Sequence, residues 1–365
     1  MGIFDGIETE HLRDVYNELW AERISPEKIV KTYWKHGDKS KDSENSFQLN
    51  FADQNIDRMN ITKADKNKIY LGLNSFFKPL ATDFERKYQD VCFASGNEYK
   101  EIMKLHSSSL CALLMFSSVS DDNPLMLELN VRGVKANFKF TKVLFEYENK
   151  VINPNHPSSV DVVLVGENLI TNKKAILFLE SKFSEYLTIT NQFKRLGAGY
   201  LDKPYCDEYY NDGFLKDLDI RFLRNTDNTL SVFSHEDKDG KKTSSYGFET
   251  ISGKQTYLEG LKQLISHYIG ITNFIRGNIV DKRKDALTPD GAEIYLGEIL
   301  FDFKFEDAQN KLMTYTSYYQ RLSKKLNNLR PNIHVLDDVL KYSLFKKENS
   351  NYLISDEIRK FYRLD

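Results

Sequence analysis

The sequence predicts a mixed α/β (α+β) fold with a core of helix, three strands, helix and strand in that order, and extra helices at both ends. Three observations carry this. Val160 to Val165 and Ala175 to Phe183 are apolar on both faces, as strands inside a covered sheet are. Ahead of them, Phe138, Phe140, Val143, Phe145 and Tyr147 show the β-branched and aromatic enrichment of a first strand. Thr256 to Ile275 then returns to a helical period, with Tyr257, Leu261, Leu264, Tyr268 and Ile275 on one stripe.

Along the chain, Leu12, Val15, Leu19, Ile24, Ile29, Val30 and Tyr33 recur at helical spacing. Ser25-Pro26 reads as an N-cap and first-turn proline, so a helical hairpin is expected over His11 to Lys35. Gly37 to Lys68 is polar and is expected to be loop-rich. A helix from Glu98 to Leu105 is followed by a triple-serine cap, Ser107 to Ser109, and a second helical piece from Leu110 to Phe116. After the two apolar strands comes a polar, aromatic insertion, Ser184 to Gly253. The long helix, a last strand over Glu293 to Phe305 and a helical tail after Asp307 follow. The expected organisation is a helical region at 1–90, a core at 91–307 with the insertion at 184–253, and a tail at 308–365.

Composition bounds the function. Hydrophobic residues at 41 % and charged residues at 28 % of 365 fit a globular chain with a real core. A formal charge of −2 excludes a uniformly basic coat but leaves room for a local basic groove. Cys92, Cys111 and Cys206 are odd in number and far apart, so neither a disulfide framework nor a thiolate zinc site is expected, and a reducing cytoplasm fits best. Met1 to Glu10 is acidic and does not read as a signal peptide. The longest charge-free apolar stretch, Leu110 to Ser120, is too short to cross a membrane. The seven histidines are dispersed, and no phosphate-binding glycine loop, dinucleotide fingerprint or serine-nucleophile elbow occurs. In Gln309 to Asp365, eleven basic residues face six acidic ones, interleaved with aromatics. That composition suits a nucleic-acid surface, but the simpler reading is a solvated helical cap whose aromatics pack inward.

Charges inside the apolar strands need explaining. Glu180 and Lys182, two apart, share one face of their strand. Asp161 lies opposite Glu180 if the two strands form an antiparallel hairpin whose turn is centred between Ile170 and Thr171. Two neighbouring carboxylates repel, and burial raises the cost of ionising both, so a cation between them is the natural complement. Mg²⁺ prefers such hard oxygen ligands, with Mn²⁺ as a substitute, and a lysine beside it can orient a water or stabilise developing charge. These groups describe metal-assisted phosphodiester hydrolysis. An acid two residues before a lysine occurs seven times in the chain, so the spacing alone says little. Only Glu180 and Asp302 stand in strongly apolar strands, and Asp302, with Lys304, is the rival site, expected at an edge or rim.

Asp161, Glu180 and Lys182, in this order of elements, resemble the PD-(D/E)XK nuclease superfamily. The resemblance covers roughly Gly96 to Phe305, with the insertion interrupting it. It implies a restriction-endonuclease-like core and Mg²⁺-dependent cleavage of DNA, with Asp161 and Glu180 as ligands and Lys182 activating water. Val160 stands where the family's name motif has proline, and Pro157 lies four residues before the acid. Two further positions are implied: an acid on the preceding helix, Glu98 with Glu101 as alternative, completing the metal shell, and a glutamine on the following helix, Gln263, with His267 one turn on. A local likeness from Phe84 and Glu98 through His106-Ser107-Ser108 to Glu180-Ser181-Lys182 and Glu185 is similar to bacterial restriction-endonuclease-like proteins. The expected protein is a cytoplasmic endodeoxyribonuclease of restriction or defence type, with DNA as partner and a homodimer if both strands are cut. The alternative is a non-catalytic nucleic-acid or protein interaction module retaining the fold.

Overall fold

The computed structural model describes residues 21–22, 24, 26–34, 44–51, 54, 56, 61–93, 98–151, 158–187, 193–201, 205–236, 242–254, 257–278, 287–349 and 351–364. The first helix of the expected N-terminal hairpin lies largely outside them. The second is not a helix: Pro26–Lys28 make one 3-10 turn and the chain continues as strand β1, Ile29–Trp34, paired antiparallel with β2, Glu44–Leu49. Ile29, Val30 and Tyr33 fit either period, and the β-branched and aromatic run Ile-Val-Lys-Thr-Tyr-Trp favours the strand. The supposed loop from Gly37 to Lys68 therefore contains β2 and the start of helix α1, Lys66–Phe76. Helix α2, Phe84–Phe93, and a single turn α3, Glu98–Glu101, follow. Helix α4, Ser108–Phe116, is capped by the Ser107 hydroxyl, which accepts from Leu110 N at 3.1 Å.

The main sheet begins with a strand that sequence reading passed over, β3, Leu125–Val131. It continues through β4, Val134–Asn149, β5, Ser158–Asn168, and β6, Lys173–Lys182, as an antiparallel meander. Only Leu125 and Leu129 of β3 are buried, which is why its apolar signal is faint. Within the insertion, β7 (Phe193–Gly197), α5 (Tyr205–Glu208), α6 (Asp212–Lys216), β8 (Ile220–Phe222), β9 (Val232–Glu236) and β10 (Lys242–Thr250) form a separate antiparallel sheet around β10 and two short helices. Helix α7, Leu258–Ile275, returns the chain to the main sheet, where β11, Glu293–Leu300, pairs parallel with β6.

The tail is not purely helical. After helix α8, Glu306–Leu329, strands β12, Ile333–Val335, and β13, Leu340–Lys341, pair parallel with β11 before the last helix α9, Asp356–Tyr362. These two short strands cover the outer edge of β11, which would otherwise expose unpaired amides and carbonyls. The boundary expected at 307/308 thus falls inside one sheet of order β12-β11-β6-β5-β4-β3, with β13 also on β11. The eight Tyr and Phe residues of the tail, from Tyr315 to Tyr362, are all buried, so they pack inward and offer no stacking surface. Phe361 meets Phe76 and Phe77 edge-on, tying the tail to α1.

The sheet is covered on both faces. Neighbours on a strand point to opposite sides. Glu180 reaches α7 through His267, while Ser181 reaches the Ser108 carbonyl of α4 and the Tyr342 hydroxyl. Ala175 to Lys182 are all buried in consequence. At the far end of the hairpin, a Cβ on Gly166 would lie 1.9 Å from the Lys139 carbonyl, beside a bulge between Phe140 and Lys142, so this close approach requires glycine. Among the described residues no helix is long and apolar enough to cross a membrane, and all three cysteines are free.

Candidate functional site

The β5–β6 turn decides the site. Asn168 Oδ1 accepts from Ile170 N at 2.9 Å and Thr171 N at 3.4 Å, and Asn172 adopts φ +53, closing a four-residue turn centred between Ile170 and Thr171. The resulting register runs from Asn168 opposite Lys173 to Val162 opposite Leu179, and its next step sets Asp161 opposite Glu180. There the ladder is taken over by a side chain, because Asp161 Oδ2 accepts from Ser181 N at 2.7 Å. Lys182, on the face of Glu180, bonds Glu180 Oε1, and His267 Nε2 lies 2.8 Å from Glu180 Oε2. Glu180, Lys182 and His267 are buried, and Asp161 is partly exposed.

Two acids join this row that the sequence reading did not select. Parallel pairing places Glu298 of β11 directly beside Glu180, and Glu298 is fully buried with the Tyr315 hydroxyl donating to its Oε2 at 2.6 Å. On the other side, Glu146 of β4, at φ +50, occupies the position between the pairs Phe145–Val162 and Tyr147–Val160, beside Asp161, and is buried. Glu298 carried the same signal as Glu180, a charge within an apolar strand, but lacks a lysine two residues on. Glu146 sits in an alternating Glu/aromatic stretch that reads as a half-solvated strand.

The charges are strongly polarised. Burial, then the Glu180 and Glu146 charges, hold the Asp161 carboxyl well above its ordinary range. Glu180 goes the other way: burial opposes its ionisation, but Lys182 and then His267 outweigh that and keep it low. Lys182, also opposed by burial, is kept protonated chiefly by Glu180, with Tyr257 and Asp161 adding to it. Burial lifts Glu298 to about 8 against the Tyr315 hydrogen bond. Among the described residues, Lys182 is the buried ammonium beside this row, and His267 adds to its hold on Glu180.

Gln263 and Glu98 stand differently. Gln263 is on α7 one turn before His267, half-buried, with its Oε1 enclosed and unbonded among the described residues. His267, not Gln263, is the α7 side chain bonded to Glu180. The Glu98 backbone opens the single turn α3, and its side chain lies outside the described residues. Glu101, the alternative, is exposed and ion-paired with Lys104 at 2.5 Å. The rival Asp302 lies beyond the end of β11, bonded to Lys304 and accepting from Ser343 N at 3.3 Å.

Among the described residues no three His, Cys, Asp or Glu side chains converge as a ready metal cage. The donor chemistry nonetheless suits Mg²⁺, which takes one or two carboxylates and fills its remaining positions with water or substrate phosphate. Asp161 and Glu180 would supply those two, and a divalent cation would offset the repulsion between them. No family model, curated protein or solved structure matches the chain.

Proposed function

We propose that the protein is a divalent-cation-dependent phosphodiesterase that hydrolyses DNA, centred on Asp161, Glu180 and Lys182. The observation that carries this reading is the register that sets Asp161 and Glu180 side by side, with Lys182 on the face of Glu180 and the two acids repelling one another. A bound Mg²⁺ would polarise a phosphate oxygen and lower the pKa of a coordinated water. Asp161 and Glu180 would be its ligands, with Glu98 as the third acid.

Lys182 contributes as a cation. Its neighbours hold its proton in place, so it orients water and stabilises the developing phosphate charge through donated hydrogen bonds. Gln263, whose Oε1 has no hydrogen-bond partner among the described residues, would be the group that steadies this water or the phosphate. A homodimer would supply two such centres for the two strands of a duplex. Because Glu180 and Lys182 are buried and bonded to one another, truncation to alanine disturbs the fold as well as the chemistry, and isosteric variants make the cleaner test.

The test is incubation with circular duplex DNA, linear single-stranded DNA and RNA, in Mg²⁺ or Mn²⁺ against EDTA. Wild type is expected to cleave DNA only with metal, and Asp161→Asn and Glu180→Gln to lose at least roughly a hundredfold in rate, the scale of losing one charge-stabilising group. Cleavage unchanged in both variants removes the assignment. One observation favours a second reading, a non-catalytic binding module: both Glu180 oxygens are already hydrogen-bonded, to Lys182 and His267. That reading expects nucleic-acid binding that is indifferent to Mg²⁺ and weakens with salt.

A further inference from the structure

His267 does more than fill the space under the sheet. Its Nε2 lies 2.8 Å from Glu180 Oε2 and its Nδ1 lies 2.7 Å from the Ser158 hydroxyl, so both ring nitrogens are engaged. A carboxylate only accepts, so Nε2 carries the proton toward Glu180, and in the neutral ring Nδ1 is left to accept from Ser158. Ser158 opens β5, three residues before Asp161, and His267 projects from the middle of α7. The three bonded groups therefore link the helix, the strand bearing Asp161 and the strand bearing Glu180.

We infer that Ser158 and His267 form a positioning relay that fixes the Glu180 carboxylate for cation binding. This rests on the reading of Asp161 and Glu180 as metal ligands. The opposing possibility is that His267 competes with the cation for Glu180. Geometry favours positioning, because a carboxylate oxygen has two lone-pair directions and Oε2 can accept from His267 on one while leaving the other free. His267 itself is held from behind by Ser158 and is buried, so it is a fixed partner and not a swinging one. Metal-bound side chains are generally oriented this way by a hydrogen-bonded neighbour.

Two measurements test it. Mn²⁺ and Mg²⁺ titrations by calorimetry, on the intact chain, should show His267→Ala binding roughly 10–100-fold more weakly than wild type. Ser158→Ala should fall between them, and His267→Gln, whose amide can still donate, should recover part of the loss. Unchanged or tighter binding in His267→Ala overturns the relay in favour of competition. Nitrogen-15 NMR of the His267 ring needs no metal. A single Nε2–H tautomer in wild type that becomes mixed in Glu180→Gln or Ser158→Ala supports the relay, and a mixed tautomer in wild type overturns it. Wild type that binds no cation yet shows the single tautomer would sink the phosphodiesterase reading while leaving the relay as the device that orients Glu180.

Discussion

Glu180-Ser181-Lys182 and Asp302-Phe303-Lys304 have the same spacing, and in each the lysine bonds the acid two residues before it. They differ in where the strand ends. Glu180 lies in β6, flanked by β5 and β11, and its lysine side chain is 4 % exposed. Asp302 follows β11 after Leu300, and its lysine is 68 % exposed. The first pair is desolvated among other acids, where protonation states become interdependent. The second has a buried acid tethered to the Ser343 amide and an amine in water. What makes acid-x-lysine into a candidate site is a sheet on both sides and a helix above, not the tripeptide.

The largest expected effect tests that contrast directly. Lys182→Ala leaves Glu180 buried beside Glu298 with His267 as its remaining hydrogen-bond partner among the described residues, and breaking a buried pair from one side costs roughly 3–5 kcal/mol. Chemical denaturation of the variant against wild type measures it. A loss below about 1 kcal/mol would place the two pairs in the same class and erase the distinction.

Glu298 sharpens the comparison, since only the Glu180 pair has such a neighbour. Its pKa rises from an ordinary 4.5 to about 8. Between those values the unfolded chain has released a proton that the folded chain keeps, so this group's contribution makes stability fall as pH climbs through the window. The slope is at most about 1.4 kcal/mol per pH unit from this one group. Glu298→Gln, whose amide oxygen can still accept from Tyr315, should flatten the fall of melting temperature between pH 5 and 8 and be more stable than wild type at the upper end. An unchanged pH profile would mean that Glu298 is ionised throughout.

The legibility of these two places in sequence follows from the same physics. The β5–β6 register was readable because a polar turn of fixed length sits between two strands apolar on both faces, and a period of two then leaves one alignment. α7 was readable from its stripe. β1 was not, because Ile29, Val30 and Tyr33 satisfy helical and strand periods alike. β12 and β13 were hidden because strands of three and two residues carry no periodic signal of their own and owe their pairing to the open edge of β11. Within the candidate site, Asp161, Glu180 and Lys182 stand out through local pattern. Glu298 and Glu146 join them only through pairing between strands distant in sequence. His267 was noted on the Gln263 face, but its bond to Glu180 depends on how α7 crosses the sheet.

A smaller effect is expected at Asp302. Asp302→Ala removes the acceptor for Ser343 N, a bond between the end of β11 and the 3-10 turn Tyr342–Phe345, and should cost about 1 kcal/mol. The measurement is the shift in denaturation midpoint. A loss as large as that of Lys182→Ala would show that burial of the acid alone, and not of the pair, sets the scale.

The smallest effect completes the argument. The Lys304 ammonium is in water, so removing it frees side-chain entropy that partly offsets the lost attraction, and exposed pairs are worth about 0–1 kcal/mol. Lys304→Ala is therefore expected within that range in denaturation and at wild-type rate in the metal-dependent DNA cleavage assay. Added salt should shrink the stability difference further, because an exposed charge is screened while Lys182 is not. If Lys304→Ala instead abolished cleavage while Lys182→Met retained it, the chemistry would belong to the rim of β11 and not to the row of acids at the centre of the sheet.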